Sequence, residues 1–149
     1  MRIAMPDVNV LVALMDNLHV HHEEAKKWFD VASKTGWATC PLSIAGALRV
    51  ISRPQPEGAL RVVEVRDLLS ALIQANSTTH RFWTDPVNLL DEDLFDISHL
   101  QGYWQVTDLH LLAIALLNNG TLVTLDAGLE ATLKAVRTPP AELFNVLSK

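Results

Sequence analysis

T-D-L-H-L-L-A-I-A-L-L-N-N-G-T-L-V-T-L-D-A-G-L, from Thr107 to Leu129, is the stretch that decides the fold class. Thr107 reads as a helix N-cap, whose side-chain oxygen can take a free amide of the first turn. Asp108–Leu117 is apolar nearly all round, the pattern of a buried helix. Asn119-Gly120 is a C-terminal stop. Thr121–Leu125 is a β-branched strand that ends at Asp126, and Asp126-Ala127-Gly128 turns the chain into another helix.

The same alternation runs outward from this stretch. Arg2–Met5 predicts a strand leading to Asp7, and Val8–Met15 a helix. His21–Ser33 carries Ala25, Trp28, Phe29 and Ala32 at the spacing of one helical face. Trp37–Cys40 predicts a short strand stopped by Pro41. Ser43 is placed to cap a helix through about Ile51, and Ser52–Pro56 is a loop rich in helix breakers. Gly58–Ala75 predicts a long amphipathic helix, and His80–Trp83 a strand closed by Asp85-Pro86. Asp91–Asp96 is a loop or the start of a short helix near Ile97–Leu100. The tail has Pro139-Pro140 and then an apolar end at Leu143-Phe144-Val146-Leu147. Strands alternating with helical patterns imply βαβ units, hence an α/β fold with a mostly parallel sheet covered on both faces. No repeat or composition shift divides the chain, so residues 1–149 read as a single domain.

Composition narrows the class. The chain has 149 residues, 49% of them hydrophobic, and its mean hydropathy is slightly positive, which argues against disorder. The longest apolar run, Leu111–Leu117, is too short to span a bilayer, and the start shows no apolar signal region. One cysteine, Cys40, excludes an internal disulfide framework. These features predict a cytoplasmic protein. The net charge of −5 argues against a simple phosphate-coating binder. The charge is uneven, however. Arg49, Arg53, Arg61, Arg66 and Arg81 stand against only Glu57, Glu64 and Asp67, whereas Asp85 to Asp108 holds six acids and no lysine or arginine. A basic middle beside an acidic remainder suits an enzyme that carries a metal cluster and grips phosphates nearby, or else an ordinary solvated helical face.

Three aspartates carry the chemistry. Asp7, Asp108 and Asp126 each sit where a strand meets a helix. In an α/β sheet such junctions gather outside the carboxyl ends of the strands. Singly, each could be a cap or a turn residue. Together, unit charges about 4 Å apart would repel by roughly 4 kcal/mol at an effective dielectric of 20. A hard divalent cation, which takes oxygen ligands, is the simplest compensation. Asn9, Thr107 and Thr124 stand beside the aspartates and are candidates to orient them. Arg49 and Arg53, four residues apart on one helix, are the best candidates for phosphate contacts. His19, His21 and His22 lack the distant partners of a zinc site. Trp28, Phe29 and Trp37 read as core; Trp83 and Trp104 flank the acidic segment and read as core or as surfaces for base stacking.

The chain resembles the PIN-domain ribonucleases of the VapC toxin type. The likeness rests on D-V-N-V-L-V-A-L-M-D from Asp7, H-V-H-H-E-E-A-K-K-W-F from His19, W-A-T-C-P-L-S from Trp37, R-V from Arg49, and Thr107 through Leu129. These stretches follow the family's order and cover most of the chain. The resemblance implies a PIN-like three-layer sandwich and an endoribonuclease using Mg2+ or Mn2+. It also implies a homodimer and a VapB-like antitoxin partner. Asp7, Asp108 and Asp126 would be its catalytic, metal-holding residues. One departure stands out. The resemblance leads one to expect an acid or a glutamine in the stretch after C-P-L-S, and Ile44 occupies that place. An isoleucine cannot bind a metal. The alternative expectation is therefore a catalytically weakened PIN-like module that binds RNA or an antitoxin.

Overall fold

Short strands dictate the architecture. The structure is a computed structural model that describes residues 2–148. Its strands β1 (Ala4–Pro6), β2 (Trp37–Thr39), β3 (His80–Phe82), β4 (Thr121–Thr124) and β5 (Phe144–Val146) are three or four residues each. They form one sheet in the order β3-β2-β1-β4-β5, and every pairing is parallel. Parallel neighbours cannot be joined by a tight hairpin, so each connection crosses over through helix. Between β1 and β2 lie α1 (Val8–Met15) and α2 (His22–Thr35). Between β2 and β3 lie α3 (Pro41–Ile51) and α4 (Val62–Ala75). Before β4 come two single 3-10 turns, Ile97–His99 and Tyr103–Gln105, and α5 (Val106–Leu117). The short α6 (Leu129–Leu133) precedes β5.

Alternation along the strands separates two cores. Met5, Ala38 and Leu122 join the cluster built on α5 and α6. Their strand neighbours Ala4 and Val123 pack with Val10, Ala13 and Ala25 of α1 and α2, and Trp37 with Phe29 and Ala32. The result is the three-layer α/β sandwich expected from the sequence. Leu109 and Leu111 through Ala115 are all buried, as the all-round apolarity of α5 predicts. Each fully buried leucine or isoleucine contributes about 1.5–3 kcal/mol. The stop after α5 is built by Asn119 in the left-handed region, at φ 53°. Gly120 follows for lack of space, since a Cβ there would meet the Trp83 ring and the Ile3 carbonyl.

Three expectations are corrected and one element is new. The helix α3 begins at Pro41 rather than at Ser43. Cys40 is its cap, Pro41 takes the first position, where a missing N–H costs nothing, and the Ser43 hydroxyl accepts from the Cys40 amide at 3.0 Å. The helix α4 starts at Val62, not Gly58, and the Arg61 amide donates to Glu64 Oε1 at 3.2 Å. Thr107 is not the cap of α5, which starts one residue earlier and continues from the preceding 3-10 turn. The apolar end, to which the sequence assigns no element, supplies β5, with Leu143 fully buried just before it.

Candidate active site

The sheet order reverses direction between β1 and β4. At such a switch point the two neighbouring crossovers run to opposite sides and leave a crevice outside the carboxyl ends of the strands. Asp7 follows β1 directly, and Asp126 lies two residues beyond β4. Asp108 enters from the first turn of α5, where the helix dipole favours a negative charge.

Asp7 is buried and tightly held. Its Oδ1 accepts from the Val8 amide at 2.7 Å and its Oδ2 from the Thr124 hydroxyl at 2.9 Å. The Thr124 oxygen in turn accepts from Asn9 Nδ2 at 3.2 Å and from the Asp126 amide at 3.1 Å. Asn9 Oδ1 accepts from the Leu125 amide at 3.1 Å, so this side chain ties the start of α1 to the end of β4. Asp126 is exposed, and its Oδ1 accepts from the Gly128 amide at 2.8 Å. Thr107 is exposed and Asp108 half-buried.

The three carboxylates feel one another. Burial raises the Asp7 carboxyl; hydrogen bonds from Thr124 and Val8 oppose this, and the charge on Asp126 adds to the rise. Asp108 is raised to about 6, first by burial and then by the charges of Asp7 and Asp126. Among the described residues none of the three makes an ion pair with a basic side chain. Three oxygen donors with uncompensated mutual repulsion fit a hard divalent cation. They do not close into a finished cage: no three histidine, cysteine or acidic side chains among the described residues converge closely enough for that. Asp126 is engaged with its own turn instead. Electrostatic contact without closure suits a site that completes its coordination with water and phosphate oxygens.

Ile44 lies in the first turn of α3, just beyond the carboxyl end of β2, half-buried and outside the apolar clusters. Arg49 is exposed in the last turn of α3, but Arg53 is exposed two residues beyond its end at Ile51, so the two do not share the one helix expected of them. Arg53 shares a groove with Met15, Asp16 and Asn17 at the end of α1 remote from Asp7. Arg61 and Arg66 pair with Glu64 and Asp67, which leaves Arg49, Arg53 and Arg81 as the arginines of that segment without an ion pair among the described residues. Trp28 is half-buried, Phe29, Trp37 and Trp83 are buried, and Trp104 is not. Sequence reasoning passed over Asp85. It follows β3 at the same sheet edge, and its Oδ2 meets His110 Nε2 at 2.7 Å, two residues beyond Asp108. The signal was the one used for Asp7 and Asp126, an acid just after a strand, but Asp85-Pro86 reads equally well as a strand terminator.

The PIN domain family model matches residues 4–134. The chain is 40% identical to ribonuclease VapC38 of Mycobacterium tuberculosis over 97% of its own length and 99% of that protein's. It is 40% identical to ribonuclease VapC44 of the same organism over 87% and 89%, and 37% identical to ribonuclease VapC39 over 89% and 94%. Among solved structures it resembles M. tuberculosis VapC20, described as a sarcin–ricin loop cleaving toxin. That likeness has a TM-score of 0.58 and 14% identity, covers 92% of this chain and 99% of that one, and concerns the fold alone.

Proposed function

The chain belongs to the PIN-domain family, and from that premise we propose that it is a toxin endoribonuclease that hydrolyses RNA phosphodiester bonds with a divalent cation. The observation that carries this reading is the set of three mutually repelling carboxylates at the switch point, unpaired with any basic side chain among the described residues. Asp7, Asp108 and Asp126 would hold Mg2+ or Mn2+. Such an ion supplies positive charge for the phosphate and a more acidic water. The protein's own contribution is placement. Thr124 fixes one oxygen of Asp7, Asn9 locks β4 to α1, and Asp85 joins the chain after β3 to α5 through His110. Thr107, exposed in the same helical turn, is the weaker candidate for orienting Asp108.

Arg49 and Arg53 would grip flanking phosphates rather than the scissile one. Arg49 stands eight residues into α3, roughly 12 Å along its axis from the carboxylate edge at 1.5 Å per residue. We also read residues 1–149 as one PIN domain, acting in the cytoplasm as a homodimer and neutralised by a VapB-like antitoxin. Among the described residues no helix is long and apolar enough to cross a membrane. The open carboxylate cage and Ile44 favour a second reading, binding of RNA or antitoxin without cleavage. One assay separates the two. Purified protein is incubated with structured and unstructured RNA in Mn2+ or Mg2+, beside Asp7→Asn. Cleavage by the wild type that Asp7→Asn and chelator abolish supports the nuclease. RNA binding with no cleavage in either metal supports the second reading.

A further inference from the structure

One edge of the sheet is left open. Leu122 donates to the Leu143 carbonyl and Leu147 to the Thr124 carbonyl, each at 2.8 Å, so the odd-numbered residues of this stretch bond β4. The N–H and C=O groups of Phe144 and Val146 therefore point away from the sheet, and no turn or loop among the described residues bonds to them. The opposite edge is partly closed. On β3 the His80 amide donates to the Asn76 carbonyl at 3.2 Å, and the His80 carbonyl accepts from the Arg81 guanidinium at 3.1 Å. Edge strands are usually blunted by a charge, a proline, a bulge or a covering segment. Phe144-Asn145-Val146 of β5 carries no charge and no proline. Beside it lies a groove against α2, where Trp28 is half-buried and Val31 62% exposed.

The residues of β5 match a second copy of themselves. Phe144 packs toward α5 and α6 and Leu147 toward α1 and α2, so alternation puts exposed Asn145 on the α2 face, in that groove. An antiparallel copy related by a two-fold axis at Asn145 sets Phe144 against Val146 of the second copy, and every outward N–H meets a carbonyl. An aromatic opposite a β-branched side chain is a favourable cross-strand pair. Asn145 meets Asn145 of the second copy, and each carboxamide offers both the donor and the acceptor its twin needs. Charge permits the approach. The chain carries −5, but this groove is lined by Lys26 and Lys27 as well as by Glu23 and Glu24. The strand itself is uncharged, so it gives a strongly charged strand of another protein nothing to pair with. We propose that two copies join through β5, strand to strand and antiparallel, in one continuous sheet. This rests on the homodimer reading above and gives that dimer its surface. The two carboxylate edges then face opposite ways, so each site is built by one chain.

The test is light scattering over a concentration series, in which the wild type should be a dimer. Val146→Pro removes an outward N–H and leaves the bonds to β4, so the chain should fold while its dimer dissociation constant rises roughly ten-fold or more. Asn145→Asp and Asn145→Lys put like charges face to face at the axis, so each alone should be monomeric where the wild type is dimeric. Mixing the two variants should restore the dimer. Asn145→Cys reads the geometry directly. Facing residues of a non-hydrogen-bonded antiparallel pair lie about 4.5 Å apart at Cα, within reach of a disulfide. The native Cys40 is buried, so mild oxidation of Asn145→Cys should yield a covalent dimer through that position. A dimer that survives Val146→Pro and both charged variants, with no cross-link from Asn145→Cys, would overturn this interface and keep the homodimer. A wild type that stays monomeric at every concentration would overturn both and leave the edge to a strand of a different protein. The nuclease reading is decided separately, by the cleavage assay.

Discussion

Asp108 is where burial, repulsion and helix geometry act on one carboxyl group. Folded, it holds its proton up to about pH 6, against an ordinary value of 3.8. Between those values the folded chain binds more protons than the unfolded one. The stability this group contributes is therefore full below the ordinary value and lost as pH rises through about 6. His80 runs the other way, since burial lowers its imidazole and its share of stability grows with pH. The two are separated by comparing wild type with Asp108→Asn in chelator. Urea unfolding should show the Asp108→Asn variant gaining on the wild type as pH goes from about 4 to 7, and parallel pH profiles would contradict the repulsion. Ile44 is the second informative residue. It is half-buried at the start of α3, where a first-turn acid is favoured by the helix dipole. Ile44→Glu should tighten Mn2+ binding by about ten-fold and lower the metal-free melting temperature, because another carboxylate adds attraction for the ion and repulsion without it. Unchanged metal affinity in a folded variant would show that the side chain points away from the carboxylates. At this scale the three aspartates stand out because each follows or opens an apolar stretch, although only Asp7 and Asp126 follow strands and Asp108 follows a 3-10 turn. The Asp85–His110 contact was not, because it joins residues 25 positions apart through the approach of α5 to the end of β3.

Among the elements, the contact of α1 with α3 positions the site, since both helices start at the carboxylate edge. Gly46 makes it possible: a Cβ there would lie 2.5 Å from Val8 Cγ2. Alanine would improve helix propensity by roughly 0.5–1 kcal/mol. It would also press on a β-branched side chain with few rotamers to retreat into. Gly46→Ala should therefore be destabilising overall, by about 1–3 kcal/mol, as overpacking usually is. The double variant Val8→Ala/Gly46→Ala should recover part of that loss. Additive losses in chemical denaturation would argue that the clash relaxes elsewhere. Sequence pattern made α1, α2 and α5 legible because their apolar faces repeat over two or more turns. Element ends were less so. Val106 and Thr107 both suit a first turn, and only the 3-10 turn before them sets the start of α5. The strand β5 was missed because three residues give no alternation to read, and what makes them a strand is the exposed edge of β4.

Across the whole molecule, the parallel order β3-β2-β1-β4-β5 sends every strand's carboxyl end to one edge and reverses between β1 and β4. Acids placed after strands are thereby concentrated at that edge in a chain already at net charge −5. Folding then works against electrostatic repulsion, and an ion that binds only the folded state offsets it by mass action. At a free Mn2+ concentration of 100 times the dissociation constant the gain is about 2.7 kcal/mol. For a chain of this size each kcal/mol moves the melting temperature by about 2–4 °C, so a rise of roughly 5–10 °C is expected. Exposed charges such as Lys26–Asp30 and Arg66–Asp67 give a general salt effect, which has to be held constant by working at fixed ionic strength. Mn2+ should then raise the melting temperature where the same ionic strength of sodium chloride does not. The rise should shrink sharply in Asp108→Asn and in Asp126→Asn. Asp85→Asn should leave most of it, because Asp85 is engaged with His110. A melting curve that Mn2+ leaves unmoved would mean that the repulsion is tolerated without an ion, and the edge would have to be read as a binding surface. A rise that survives every aspartate substitution would place the ion elsewhere. A rise that falls with Asp108 and Asp126 but not with Asp85 would tie the stability of the fold to the residues proposed to cut RNA.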